Sequence, residues 1–281
     1  MVNKKITAVR YVAGEPEETS EALAGEAPLQ IKINGKAYTI TMRTPGQDKM
    51  LATGLLFTER IIRDQKDILH ISETPDETSG QTLMIDVLVK EEIITGKNLF
   101  NRSIASSASC GVCGKIELCD LITPEKPLYT SHKLNIHLIP GLLQQMQAEQ
   151  ATFEKTGGSH AAAAFDIHGR MLSVKEDIGR HNAVDKVIGA LVLTDTLHQA
   201  AILFISGRVS FEIVAKCAEA SIPFLLAVSA PSSLAVHFCQ DKGITLVGFC
   251  RENRATVYAN EKNILRRAPA KEKAMLIDKA L

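Results

Sequence analysis

Two uninterrupted apolar runs, Ala201-Ile-Leu-Phe-Ile205 and Ile222-Pro-Phe-Leu-Leu-Ala-Val228, restrict the fold more than any other feature. Successive side chains of a strand point to opposite faces, so a strand that is apolar at every position must be buried on both sides. Helical periodicity fills the gaps around these runs, at Asn182 to Leu193, Phe211 to Ala220 and Ser233 to Gln240. Further strands are read at His160 to Ile167, Met171 to Val174, Ile244 to Phe249 and Ala255 to Tyr258, with Asp166-Ile-His-Gly169 as a turn. Strands alternating with helices predict an α/β unit whose sheet is mostly parallel and covered on both faces. One more helix, Gly141 to Phe153, precedes the series behind Pro140, a residue suited to a first helical turn.

The first half reads as a smaller, β-rich unit. Ile6 to Val12 alternates as a strand, and Gly14 to Ala27 carries five glutamates with no lysine or arginine, which predicts a solvated loop. Gln30 to Ile33 and Lys36 to Ile40 flank Asn34-Gly35, a strong hairpin signal. Asp48 to Ile62 has helical spacing behind Thr44-Pro45, and Gln81 to Lys90 is a strand. The division predicted is 1–135 for the β-rich unit, 136–260 for the α/β unit and 261–281 for a basic tail. That tail holds six Lys or Arg against three acids and is expected to be a surface helix.

The β-rich unit ends in Ser103-Ile-Ala-Ser-Ser-Ala-Ser-Cys-Gly-Val-Cys-Gly114, nearly all small residues. Such a run buries little apolar surface and loses much backbone entropy on ordering, so a mobile loop is expected. Cys110 and Cys113 stand three apart, just before a predicted helix from Lys115 to Ile122. A helix start and the Lys115 ammonium both favour thiolate over thiol. Such a pair can chelate a metal, exchange disulfides or carry sulfur, and spacing alone does not choose among these.

Composition excludes several classes. Acidic and basic residues balance at 32 each, so no global field draws nucleic acid or an anionic membrane. No stretch approaches the roughly 20 apolar residues of a membrane span, and the opening Met-Val-Asn-Lys-Lys is too polar and short for a signal peptide. A cytoplasmic location is expected, with the six cysteines reduced.

Four polar clusters fall where strands meet helices or turns: Thr156-Gly-Gly-Ser-His160, Glu176-Asp-Ile-Gly-Arg-His-Asn182, Ser206-Gly-Arg-Val-Ser210 and Cys250-Arg-Glu-Asn-Arg254. Ligands of open α/β sheets sit at such junctions. Free backbone amides with Arg208 beside them suit an anion such as phosphate. A satisfied ion-pair network among Asp177, Arg180, His181 and Asp185 is the alternative reading of the second cluster.

Taken in order, Cys110-Gly-Val-Cys-Gly114, His160-Ala-Ala-Ala163, Glu176-Asp-Ile-Gly-Arg-His-Asn-Ala-Val-Asp-Lys186, Ser206-Gly-Arg-Val-Ser-Phe-Glu212 and Leu246-Val-Gly-Phe-Cys-Arg-Glu-Asn-Arg-Ala-Thr-Val-Tyr258 closely resemble the formate dehydrogenase accessory sulfurtransferases, the FdhD family. The resemblance runs from about Pro28 to Tyr258. It implies a sulfurtransferase that takes persulfide sulfur from a cysteine desulfurase and passes it to the molybdenum cofactor of formate dehydrogenase. It also implies a cytidine-deaminase-like, three-layer C-terminal domain, a homodimer, and binding of bis(molybdopterin guanine dinucleotide) as substrate with no intrinsic metal. By matching positions Cys110 bears the persulfide and Phe249, Cys250, Arg251, Glu252, Asn253 and Arg254 lie on the cofactor. His160, Asp177, Arg180, His181, Ser206 and Arg208 are further candidate cofactor contacts, and Cys113 a candidate helper in sulfur release. Asn253 stands where a relative has glycine, which leaves the conformation of that loop open.

Rivals from other classes are a zinc-binding interaction module and a thiol oxidoreductase built on Cys110 and Cys113. The module would need two more ligands, for which Cys119, His132 and His137 are available. The oxidoreductase would place its pair early in a βαβ unit. A zinc deaminase needs glutamate two residues after its histidine, whereas Ala162 follows His160 at that spacing.

Overall fold

In the computed structural model, which describes residues 3–94 and 127–266, the chain opens with an antiparallel hairpin of β1 (Asn3–Val12) and β2 (Glu15–Ala24). Residues 14–27, predicted as loop, are therefore mostly strand. Arg10 reaches Glu17 at 3.6 Å and Glu21 at 2.6 Å across the ladder, so the glutamates are cross-strand partners of the basic strand.

A second hairpin joins β3 (Ala27–Ile33) to β4 (Lys36–Arg43). Asn34 and Gly35 both take positive φ, 48° and 77°, the sign pattern that matches a two-residue turn to strand twist. Helix α1 (Asp48–Thr58) then leads to β5 (Ile68–Pro75), β6 (Thr82–Val89) and the short α2 (Glu91–Ile94). The helix stops before the predicted Ile62 because Arg60 turns left-handed, at φ 62°. β5 escaped the sequence reading because it is a mostly exposed edge strand without apolar alternation. The four strands lie in the order β4-β3-β6-β5 and bury Leu29, Ile31, Ile33, Ile85, Val87 and Val89 on one face.

After β7 (Leu134–Asn135) come α3 (Ile139–Ala148) and α4 (Ala151–Thr156), which replace the single helix predicted over 141–153. The break has a cause. The Glu176 carboxylate accepts the amides of Thr152 and Phe153 at 2.7 and 2.8 Å, which starts a new helix there.

The α/β unit follows as β8 (His160–Phe165), β9 (Met171–Asp177), α5 (Arg180–Leu193), β10 (Ile202–Ile205), α6 (Phe211–Glu219), β11 (Phe224–Ala227), α7 (Ser233–Lys242), β12 (Thr245–Arg251) and β13 (Arg254–Ala259). Its sheet runs β13-β12-β11-β10-β8-β9. Only β10–β11 and β11–β12 are parallel, so the expectation of a mostly parallel sheet is corrected to a mixed one. Short turns join β8 to β9 and β12 to β13, and a hairpin can only be antiparallel. The helix α5 carries the chain from β9 past β8 to β10, leaving β8 antiparallel between them.

Both faces are covered. Ala162, Ala164, Leu203, Ile205, Leu225 and Ala227 face the core shared with α5, α6 and α7, while their neighbours Ala161, Ala163, Phe165, Ile202, Phe204 and Phe224 pack with α3. The first of these cores also contains the inner face of the N-terminal sheet and α1. Contact between α1 and α5 is backbone to backbone: a Cβ at Gly54 would lie 1.8 Å from the Asp185 carbonyl oxygen, and one at Gly189 1.9 Å from that of Met50. Of the predicted tail, residues 261–266 form a short 3-10 turn and β14 (Ile264–Leu265), paired with β7, in place of the start of a helix. The remainder of the tail, and the helix predicted from Lys115 to Ile122, lie outside the described residues.

Candidate functional site

One edge of the six-stranded sheet collects the C-terminal ends of β9, β10, β11 and β12 with the starts of β8 and β13. All four polar clusters end on this edge, and helices α5, α6 and α7 begin from it. Helix N-termini direct free amides and partial positive charge outward.

Three of the loops meet at Gly207. A Cβ there would stand 3.4 Å from Cβ and Cδ of Arg180 and 3.4 Å from Nδ1 of His160, so side chains from two other loops close over the glycine. His160 is half-buried, and burial followed by the Arg180 charge pushes its pKa below the usual 6.5. The Arg180 Nε is buried with no hydrogen-bond partner. Arg208 is exposed beside this group and adds to the positive field at His160. His181 Nε2 lies 3.4 Å from the Ser210 hydroxyl and 3.8 Å from Glu212. That imidazole, against opposing burial, and the Ser210 hydroxyl hold the Glu212 carboxyl down at about 2.

Other predicted residues are occupied internally. Asp177 is fully buried and accepts four bonds, from Thr44 N (3.1 Å), Gly179 N (2.8 Å), Asn182 Nδ2 (3.0 Å) and Lys186 Nζ (2.7 Å). It ties the β4–α1 connection to the start of α5, in line with the ion-pair reading of that cluster. Ser206 Oγ accepts from Ala161 N at 2.9 Å while its own amide donates to Ala161 O at 2.9 Å, extending the β8–β10 ladder.

At β12 a bulge between Gly248 and Arg251 turns Phe249 left-handed, at φ 50°. The Arg254 guanidinium lies over the Phe249 ring, 5.9 Å from its centroid. Asn253 is not among the residues with positive φ, so Phe249 carries the conformation for which Asn253 was the candidate. Arg251 donates to Val228 O (2.6 Å) and Cys250 O (2.8 Å), while Glu252 and Asn253 form the exposed turn. Cys250 points into the core, where burial pushes its thiol up to about 12. Cys217 and Cys239 are likewise buried, the latter pushed up to about 12, so all three described thiols stay protonated and poorly nucleophilic. Cys110 and Cys113 lie outside the described residues.

Sequence reading missed a fifth loop on this edge, Val228 to Ser233. Phe249 N donates to Ser229 O at 3.2 Å, Val209 bridges to Pro231, and Ser232 caps α7 through Ala235 N at 3.2 Å. The signal was present: Ser-Ala-Pro-Ser-Ser between an apolar strand and a helix is the same kind of junction as Ser206-Gly-Arg. Among the described residues no three His, Cys, Asp or Glu side chains are grouped to hold a metal ion. No described helix is long and apolar enough to cross a membrane.

Comparison with known proteins places this architecture. The sulfur carrier protein FdhD of Streptomyces coelicolor is 38% identical over 274 residues, covering 95% of this chain and 97% of its own. The protein of the same name from Sulfolobus acidocaldarius is 36% identical over 262 residues, or 93% and 98% of the two chains. A crystal structure of a candidate formate dehydrogenase accessory protein from Desulfotalea psychrophila shares the fold, with a TM-score of 0.74 at 24% identity over 94% of this chain and 100% of that one. The sequence profile of the FdhD/NarQ family matches residues 24–265, and the chain belongs to that family.

Proposed function

We propose that the protein is a sulfurtransferase acting as a sulfur carrier for a formate dehydrogenase. A cysteine desulfurase loads Cys110 as a persulfide, and the carrier passes the outer sulfur to bis(molybdopterin guanine dinucleotide), held as substrate on the five-loop edge. The observation that carries the reading is the meeting of His160, Arg180 and Gly207, with Arg208 exposed beside them, where three helices begin. A ligand with several phosphates needs amide donors and cations spread along one line, and this edge offers both. Arg254 over Phe249 gives a flat cationic surface for a base. In this reading Asp177 and Ser206 hold the loops, and Arg180, His181, Arg208 and Arg254 meet the ligand.

Cys113 completes the transfer chemistry. Its thiolate attacks the inner sulfur of the Cys110 persulfide, the S–S bond breaks, hydrosulfide leaves, and a Cys110–Cys113 disulfide forms that a cellular thiol reductant must reopen. The buried, protonated state of Cys217, Cys239 and Cys250 supports assigning sulfur transfer to other cysteines. A cytoplasmic homodimer and a cytidine-deaminase-like arrangement of the three layers belong to the same proposal. Intact mass after incubation with a cysteine desulfurase and cysteine tests it: wild type gains a sulfur atom on the peptide containing Cys110, and Cys110→Ser does not. A Cys110→Ser protein that fully supports formate dehydrogenase activity would overturn the reading.

A further inference from the structure

A cleft of about 630 Å³ runs along the outer side of β9 and reaches Glu176 and Lys186 at that strand's C-terminal end. Its floor is the strand from Met171 to Glu176, and its walls are Thr44 to Gln47 on one side and Glu149 with Thr152 on the other. β9 is an edge strand, paired only with β8 among the described residues.

The register shows which backbone groups face the cleft. Ala161 and Phe165 direct their carbonyls to β10, accepting from Ser206 N and Ala201 N. Ala162 and Ala164 therefore face β9, where they stand opposite Lys175 and Ser173. Val174 and Glu176 must then point their amides and carbonyls outward. Two bonds agree with this assignment: Lys186 Nζ donates to Glu176 O at 3.4 Å, and Ile178 N donates to Thr44 Oγ1 at 3.0 Å. Leu172 is the extra residue where the register shifts, opposite neither Ala164 nor Phe165. Val174 thus offers its amide and carbonyl to the cleft.

Charge in the cleft is unbalanced in one place. Lys186 is paired with Asp177, and Glu176 is taken up by the α4 amides and the Ser159 hydroxyl. Lys175 is half-buried, and no described carboxylate, hydroxyl or carbonyl bonds its amine, which burial and then the Lys186 charge hold below the usual 10.5. Next to it along the strand, the Ser173 hydroxyl is buried without a partner.

We propose that this cleft is a docking groove for an extended peptide segment of a partner protein, which adds to the outer edge of β9 and sets a carboxylate against Lys175. Main-chain bonds to Val174 supply affinity that tolerates many sequences, and Lys175 supplies the preference for an acidic residue. Docking here does not rest on the sulfur-carrier reading. An edge lysine also serves to repel strand pairing, and that role predicts the opposite result.

Panning the full chain against a phage-displayed library of random peptides separates the two. Docking predicts enrichment of peptides with an acidic residue among β-branched ones. A selected synthetic peptide should lose about tenfold or more in affinity on Lys175→Glu, a residue change that should favour basic peptides instead. Val174→Pro removes an outward amide without touching the bonds to β8, and should weaken the same peptide about as much. Lys175→Glu should melt as wild type does; Val174→Pro also trims Val174's packing on the core beside α3, so its fold is checked by circular dichroism before binding is read. Failure to enrich any consensus, or equal binding by wild type and Lys175→Glu, would overturn the proposal. So would self-association in sedimentation that Val174→Pro abolishes, since a second copy would then own the edge.

Discussion

Two polar regions of the molecule draw on one stretch of sequence, Glu176 to Lys186, and use it in opposite ways. Asp177, Asn182 and Lys186 are buried and bonded to one another and to β4, and Asp185, equally buried, is bonded to α1 and α6. Arg180 and His181, in the middle of the same run, lie on the loop edge against His160, Gly207 and Ser210. Helical spacing sorts them: Asn182, Asp185, Lys186 and Gly189 recur at i, i+3, i+4 and i+7, the face of α5 that meets α1 and β4. A motif rich in charged residues is therefore not one site. Part of it builds the platform, and part of it stands on the platform.

The comparison breaks most readily at Lys186. Replacing it by Met leaves the Asp177 carboxylate buried without its counter-charge, a loss of about 3–5 kcal/mol. Urea unfolding should show that loss, and a variant as stable as wild type would mean that the buried half is not structural. Gly189→Ala should come next, at about 3 kcal/mol, since α1 and α5 must separate to admit a methyl 1.9 Å from a carbonyl oxygen. Its unfolding curve should shift even though alanine favours helix by about 1 kcal/mol.

On the edge the pattern should invert. Arg254→Ala should leave the unfolding curve unchanged but weaken GDP, a probe for the guanine nucleotide part of the proposed ligand, by about ten- to a hundredfold in calorimetry, about 1.5–3 kcal/mol. Equal affinity would remove Arg254 from the site, and no heat with wild type would remove the nucleotide. The smallest effect concerns Glu212, whose carboxyl is held at about 2 instead of 4.5. A depressed carboxyl stabilises the fold above its unfolded pKa, and that contribution fades as pH falls from about 4.5 toward 2. Glu212→Gln should lower stability at neutral pH and converge with wild type as pH falls toward 2, which flattens acid unfolding across that window. An unchanged acid profile would show that His181 and Glu212 are not coupled.

Most strands and helices of the α/β unit were legible because burial on both faces leaves unbroken apolar runs, as at Ile202–Ile205 and Phe224–Ala227. The turn at Asn34-Gly35 was legible because few other pairs take two positive φ angles readily. The β2 strand was not, since its glutamates look solvated until Arg10 is placed across from them. The division of the Glu176 motif was hidden for a related reason. Asp177 faces inward because Thr44, 133 residues earlier, delivers an amide to it.

Local periodicity and residue order thus carried most elements of the α/β unit, the two buried faces of its central strands and the membership of the motifs in one family. Only the tertiary structure decided which charges are buried, where the sheet is antiparallel, and that β9 keeps an open edge. Each of those depends on what lies opposite a residue in space. A charge is held or released by its partner, and the partners here come from segments more than a hundred residues apart, such as Thr44 with Asp177 and Thr58 with Asp185.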